Sequence, residues 1–421
     1  MNQLFATSTK PDFCAARRLA TGLFAAAVVG VVCGASSWLF LGLLDAATSM
    51  RTHNDVLVYS LPFAGFAIGW FYQEYGDSIK AGTNLLIKTT LEGGGTVPLR
   101  MAPMVLGGTV LTHLFGGSAG REGTAVQIGG SLGDWIAHRF GVDSVTRKHL
   151  LMAGIAGGFG AVFGTPLAGA LFAVEFLVPG RVQLTAFIPA LIASAVGDWV
   201  VRFLGAHHAD HPQVPLLSLT PSLAIKWVIV AVAIALVAVV FIELTHLIKA
   251  RSEKHIKALR VRMFVGGALV VCLWKLIGTS DYLGLGVPMI LRAFSDSNYP
   301  TYAFALKLLM TAVTLGFGFL GGEVTPLFFV GVGLGSVLAR ALGIPIEIGA
   351  GVGLAAMFGA ASNAPLALTV MATELMGSGI FMHSLVVCVI AYVLTGRRSI
   401  YAAQPLAHKT ALPFMKNATV A

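Results

Sequence analysis

Long apolar runs alternate with short polar links along almost the whole chain. Runs at Leu19 to Leu44, Val56 to Tyr72, Met101 to Phe115, Leu150 to Phe163, Leu184 to Leu204 and Leu223 to Ile248 predict helices. Further helices are predicted over 263–279, 283–293, 302–320, 326–342, 348–360, 365–377 and 379–395. A helix needs about 20 apolar residues to cross a hydrocarbon core about 30 Å thick. Several of these runs are shorter and predict broken or partial helices. Such backbone is tolerated at membrane depth only where protein or a cavity satisfies its polar groups.

The 421 residues are 56% hydrophobic and 11% charged, where soluble domains carry about 25% charged residues. The pattern therefore predicts an all-α polytopic membrane protein. The 50 glycines fit helices that pack closely and break often. The net charge of +9 does not point to nucleic acid, because the basic residues are spread through loops and tails. It points instead to the positive-inside rule. Lys10, Arg17 and Arg18 at the start, the link from Lys249 to Arg262, and the tail from Arg397 are the basic segments. They predict cytoplasmic N- and C-termini, and the lysine- and arginine-free loop from Gly205 to Pro221 is predicted outside. The first apolar run is too long for a signal peptide and is read as a retained helix. Cys14, Cys33, Cys272 and Cys388 are scattered and offer neither a disulfide framework nor a metal site. No cofactor is expected.

One stretch places ionisable residues among glycines inside the apolar sequence: Gly116-Gly117-Ser118-Ala119-Gly120-Arg121-Glu122-Gly123-Thr124. Ala125 to Ile128 reads as the first helical turn after it. A helix start offers free N–H groups and partial positive charge to an anion. A carboxylate at the same place competes for those amides, and an ionisable residue at membrane depth is a functional candidate. Glu122 is therefore the leading candidate, with an ion pair to Arg121 as the structural alternative.

The chain also repeats itself. Gly120-Arg121-Glu122-Gly123-Thr124 is answered by Gly321-Gly322-Glu323-Val324-Thr325, and Thr165-Pro166-Leu167-Ala168 by Ala364-Pro365-Leu366-Ala367. Gly82-Thr83-Asn84-Leu85-Leu86 is matched more loosely by Gly286-Val287-Pro288-Met289-Ile290. Paired halves with Gly/Pro-interrupted helices point to a transporter with its site at the repeat interface. No HExxH, nucleophile elbow or intramembrane aspartate pair supports an enzyme.

These residues resemble the CLC family of anion channels and proton-coupled antiporters, over Leu19 to Tyr401. The resemblance implies two inverted-topology repeats of broken and tilted helices, and a homodimer with one pore per subunit. It divides the chain into a cytoplasmic arm (1–18), a first membrane repeat (19–204), an extracellular linker (205–221), a second repeat (222–401) and a cytoplasmic tail (402–421). It implies an anion held where the helix starts at Gly82, Gly120 and Gly321 converge, with Thr83, Asn84, Arg121, Gly123, Val324 and Tyr401 around it. Glu122 matches the family's gating, proton-carrying glutamate, and Tyr401 its pore tyrosine. Thr83-Asn84, Thr124, Phe176 (beside Glu175, where chloride antiporters carry an internal glutamate) and Glu323 depart from the chloride branch and resemble the bacterial fluoride-exporting branch. No soluble regulatory region follows Tyr401 in the sequence, as in compact bacterial members. The implied function is fluoride/proton antiport across a bacterial inner membrane, with chloride/proton antiport or a passive chloride channel as the alternative.

Fluoride holds its water tightly, so backbone amides and the hydroxyls of Thr83, Thr325 and Tyr401 are the candidate replacement donors. Glu323 is read as a proton relay or, with Thr325, as a holder of Glu122, with helix-dipole stabilisation as its structural alternative. Asn84 is read as an anion donor or a loop support, and Thr124 as a cap or a donor. Glu175 is read as structural, and His113 receives no role.

Overall fold

A computed structural model of the chain describes residues 13–206, 208 and 212–405. Most of the predicted N-terminal arm, with Lys10, and residues 406–421 of the predicted tail lie outside the described residues. The described residues form sixteen α-helices. The first half holds α1 (Phe13–His53), α2 (Leu61–Tyr75), α3 (Thr83–Glu92), α4 (Met101–Leu114), α5 (Glu122–Arg139), α6 (Ser144–Phe163), α7 (Pro166–Glu175) and α8 (Phe187–Phe203). The second holds α9 (Pro221–His255), α10 (Leu259–Ile277), α11 (Val287–Arg292), α12 (Ala303–Gly316), α13 (Val324–Leu342), α14 (Ile346–Ser362), α15 (Pro365–Met376) and α16 (Phe381–Thr395). Six described helical segments are long and apolar enough to cross a membrane, while α4, α7, α12, α14 and α15 are apolar but shorter.

Local chemistry sets many of the boundaries. Asp143 caps α6 by accepting from the Val145 and Thr146 amides, each at 3.0 Å. Pro166 and Pro365 open α7 and α15 at the first helical position, where the missing N–H costs nothing. Asn363 ends α14 at φ 64°, a left-handed conformation that asparagine tolerates better than most residues.

Three predicted boundaries are corrected. The organising helix begins at Glu122, not Ala125, so the glutamate sits in its first turn. The expected basic link is mostly helix: α9 continues to His255 and carries Lys249, Arg251 and Lys254 in its last turns. Cations there are favoured by the helix dipole, and lysine and arginine are good helix formers. The predicted helix over 283–293 shrinks to Val287–Arg292.

The two halves reuse one packing solution. A β-carbon on Gly129 of α5 would fall 2.1 Å from the Gly154 carbonyl oxygen of α6, and one on Gly154 would fall 2.1 Å from that of Gly129. In the second half, Gly331 of α13 meets the Gly353 carbonyl of α14 at 2.2 Å in the same sense, and Gly353 returns the contact at 2.1 Å. Helices can approach this closely only where neither carries a side chain, which is how membrane bundles pack in the absence of a hydrophobic drive. Helices α7 and α15 lie antiparallel, the end of each against the start of the other. The architecture is a polytopic helical fold of two inverted repeats, as the sequence pattern and resemblance predict.

Candidate anion and proton site

The two glycine-rich motifs of the repeats meet backbone to backbone. Gly120 and Gly322 form an antiparallel bridge, with Gly120 N to Gly322 O at 2.6 Å and Gly322 N to Gly120 O at 2.8 Å. A β-carbon on Gly120 would lie 2.9 Å from the Gly322 oxygen, and one on Gly322 would lie 2.6 Å from the Gly123 amide nitrogen. Only glycine permits this approach. It sets the start of α5 beside the start of α13.

Glu122 lies between those two starts and is 1% exposed. Thr325 Oγ1 is 2.6 Å from both of its carboxylate oxygens. The amides of Thr325 and Arg121 donate to Glu122 Oε2 at 3.1 and 3.2 Å. Arg121 Nε stands 3.4 Å from Oε1, so the ion pair named as the structural alternative is present together with the amide contacts. The carboxylate thus takes up backbone donors at the junction of both repeats, which are the donors an anion would use. Val324, the first residue of α13, is buried alongside.

Glu323 occupies the N-cap position of α13, yet its side chain makes no capping hydrogen bond. It still sets a carboxylate at the helix start, so the helix-dipole alternative stands beside the relay reading. Its Oε2 lies 3.7 Å from where a β-carbon on Gly123 would stand, one residue from Glu122. Glu323 also lines a cavity of about 330 Å³ together with Asn84, His246, Lys249, Glu253 and Ile400. On the other side, Arg121 lines a chamber of about 850 Å³ with Trp38, Asp45, Arg51 and Asp281. The two glutamates therefore stand between two separate hollows.

The third expected helix start, at Gly82, lies against Gln127 of α5. Gly82 has φ 55° and precedes α3. The Thr83 hydroxyl accepts from Gln127 Nε2 of α5 at 3.3 Å. Asn84 Oδ1 accepts from the Ala403 amide at 2.8 Å, so of its two predicted roles the structure shows the loop support. Thr124 is no cap: its hydroxyl pairs with that of Thr109 at 2.7 Å and ties α5 to α4.

Tyr401 is buried beside Phe176, ring edge to ring face, with centroids 5.6 Å apart. Phe176 stacks on Phe172 at 4.6 Å, and Phe172 on Phe159 at 4.6 Å. An apolar column therefore fills the position where an internal glutamate would stand. Glu175 turns to the start of α15, accepting from the Leu366 and Ala367 amides, which is the structural role expected of it.

Two residues at this site carried no sequence signal. His113 sets its ring nitrogens 2.8 Å from the Thr109 carbonyl and 3.0 Å from that of Ala119, so it holds the residue before Gly120. Gln404, 4% exposed, donates to the Phe176 and Ser362 carbonyls and accepts from Asn363 and Ser399. That network pins the turn carrying Tyr401. A lone histidine in an apolar run and a glutamine just past a motif give no pattern that would mark them.

A carboxylate sharing helix-start amides at the junction of inverted repeats defines a secondary transporter of anions and protons. The chain belongs to the CLC family: residues 64–396 match the voltage gated chloride channel family, and the protein is a membrane-spanning anion/proton transporter of that class. It is 41% identical over 398 residues to a chloride/fluoride channel protein of Pseudomonas syringae pv. tomato, covering 93% of this chain and 87% of that one. Its fold matches the crystal structure of a CLC-type fluoride/proton antiporter with a TM-score of 0.88 and 34% identity, covering 92% of this chain and 98% of that one. A slow cyanobacterial Cl⁻/H⁺ antiporter shares the fold at a TM-score of 0.78 and 18% identity, covering 90% of this chain and 96% of that one.

Proposed function

We propose that the protein exports fluoride from the cytoplasm in exchange for protons, with Glu122 as gate and proton carrier. The observation that carries this reading is the pairing of Glu122 with Thr325 and with helix-start amides from both repeats. Ionised, Glu122 holds the amides against the anion. Protonated, its carboxyl loses most of its attraction for them and yields the place. Each exchange of anion for carboxylate then accompanies one proton event on the same side chain.

Fluoride is favoured over other anions on two grounds. Its small radius demands several strong donors at short range, and a cluster of neutral N–H and O–H donors meets that demand while still allowing release. The fluoride/proton antiporter and the chloride/fluoride channel protein named above are also its relatives at 34% and 41% identity. Chloride/proton exchange is the second reading, since the Cl⁻/H⁺ antiporter named above shares the fold.

Protons need a path that avoids Phe176. Glu323 supplies one, because it borders both the Glu122 loop and the cavity that Lys249 lines. The basic end of α9 and basic start of α10 support a cytoplasmic face for that cavity by the positive-inside rule, with the termini on the same face and the 205–221 linker and the Arg121 chamber outside. The protein then resides in a bacterial inner membrane as a homodimer of identical pores, each built from repeats 19–204 and 222–401.

The test is anion efflux from liposomes holding the purified protein, with fluoride and chloride compared while proton uptake is followed. Fast fluoride efflux with opposed proton movement and little chloride flux is expected. Equal or faster chloride efflux would remove the fluoride assignment.

A further inference from the structure

The chamber above Arg121 has exposed acids at its rim and cations in its wall. Asp45, Asp55 and Asp281 line it and are exposed, whereas Arg51 lines it at 5% exposure. The Arg51 guanidinium donates no hydrogen bond to any described residue, and its Nε is buried without a partner. Behind it stands Lys307, 0% exposed, whose ammonium donates to the Tyr282 carbonyl at 3.2 Å and the Gly284 carbonyl at 2.6 Å. Both cations press on one glycine, since a β-carbon on Gly284 would lie 3.3 Å from Arg51 Nη2. Among the described residues no carboxylate lies within ion-pair distance of either.

Two nearly buried cations on one residue repel each other, and buried charge is ordinarily paired. Helix position does not account for the arrangement. Arg51 in the last turn of α1 is favoured by the dipole, but Lys307 lies near the start of α12, where a cation is disfavoured. A dipole also gives no reason for a guanidinium to be buried without an acceptor.

We infer that Arg51, reinforced through Gly284 by Lys307, forms a second anion station in the outer chamber that takes a small inorganic anion as it leaves the Glu122 site. Arg51 supplies the donors that reach the anion. Lys307, sealed from the chamber, occupies the Gly284 carbonyl, so that acceptor is taken and the Arg51 donors stay free for the anion. The two stations lie on opposite sides of Arg121, which lines the chamber and touches the Glu122 carboxylate. The rim acids keep the anion from binding so tightly that it stays. The station rests on the transport reading only for the direction in which the anion passes.

Diffraction from crystals of the full chain soaked in bromide tests the site without any transport. An anomalous peak in contact with Arg51 is expected in the wild-type protein and in Arg51→Lys, and its loss is expected in Arg51→Gln. The absence of a peak at Arg51 in the wild type, or a peak that survives Arg51→Gln, would overturn the station even in a fully active transporter. In oriented liposomes, external fluoride should slow fluoride efflux. Arg51→Gln should need about tenfold or more external fluoride for the same slowing, the scale of one lost charge-assisted hydrogen bond, with internal half-saturation unchanged and Arg51→Lys close to wild type. A bromide peak at Arg51 with no such shift would overturn the station's place on the transport path. A protein that carries no anion at all would sink the function proposed above, and the bromide result would still decide the site.

Discussion

Glu175 and Glu374 cap each other's helices. Glu175, at the end of α7, accepts from the Leu366 and Ala367 amides at the start of α15, at 3.0 and 2.7 Å. Glu374, near the end of α15, accepts from the Leu167 and Ala168 amides at the start of α7, at 3.0 and 2.8 Å. One antiparallel contact thus satisfies four otherwise orphaned donors, two in each repeat. Replacing Glu175 by alanine should lower stability by about 1–3 kcal/mol, the cost of leaving such donors without a charged partner. Glu374→Ala should cost less, because Glu374 is more exposed than Glu175 and its loss leaves less of the site sealed. Thermal unfolding of both variants in detergent checks the order, and equal losses would refute it.

Glu122→Gln removes the proposed proton carrier but keeps the shape of the side chain. Coupled proton movement should disappear. Proton uptake that continued at the wild-type rate in liposomes would exclude Glu122 as the carrier.

Thr325→Val removes the hydroxyl that faces both Glu122 oxygens while leaving the amide donor in place. The hold on the carboxylate should weaken by about 1.5–3 kcal/mol, roughly 10–100-fold in the occupancy of this position. Proton-coupled turnover should fall accordingly, and Thr325→Ser should restore most of it. If Ser and Val behave alike, the hydroxyl is not the relevant group.

Glu323→Gln separates proton relay from anion binding. Proton supply from the Lys249 cavity should slow, and fluoride turnover with it, while fluoride affinity measured by binding stays near that of the wild type. A variant with lost affinity and intact proton movement would reassign Glu323 to the anion.

Asp143 gives a pH-dependent stability outside the membrane spans. Amide and hydroxyl donation by Thr146 holds its carboxyl below the usual aspartate range. The cap's contribution is therefore fully present above the unfolded-state pKa and is lost as pH falls through the lower folded value. Asp143→Asn should flatten the acid side of the stability curve, and an unchanged curve would remove the cap from the account.

Glu122, Thr325 and the two Pro-Leu-Ala helix starts were legible because charge or proline inside an apolar, glycine-rich sequence has few explanations. The repeat was legible for the same reason. Helix ends were less so: the start at Glu122 and the extension of α9 to His255 depend on which turn the tertiary contacts reward. His113, Lys307 and Gln404 were invisible as site residues. Each is an isolated polar residue whose meaning comes from carbonyls far away in sequence, such as Tyr282 and Gly284 for Lys307. Thr124 and Asn84 were seen as residues of interest, but their partners, Thr109 and Ala403, could be read only from the fold.

The reciprocal clasp between Gly120 and Gly322 limits what can move. Pulling the two repeats apart at that point would break two peptide hydrogen bonds between buried glycines, each worth about 4–6 kcal/mol in an apolar medium. At about 8 kcal/mol or more for the pair, an open clasp would be populated about one part in a million of the time or less. On the mechanism proposed above, the stroke is then a rotation about the single bonds of one side chain, made with this clasp closed.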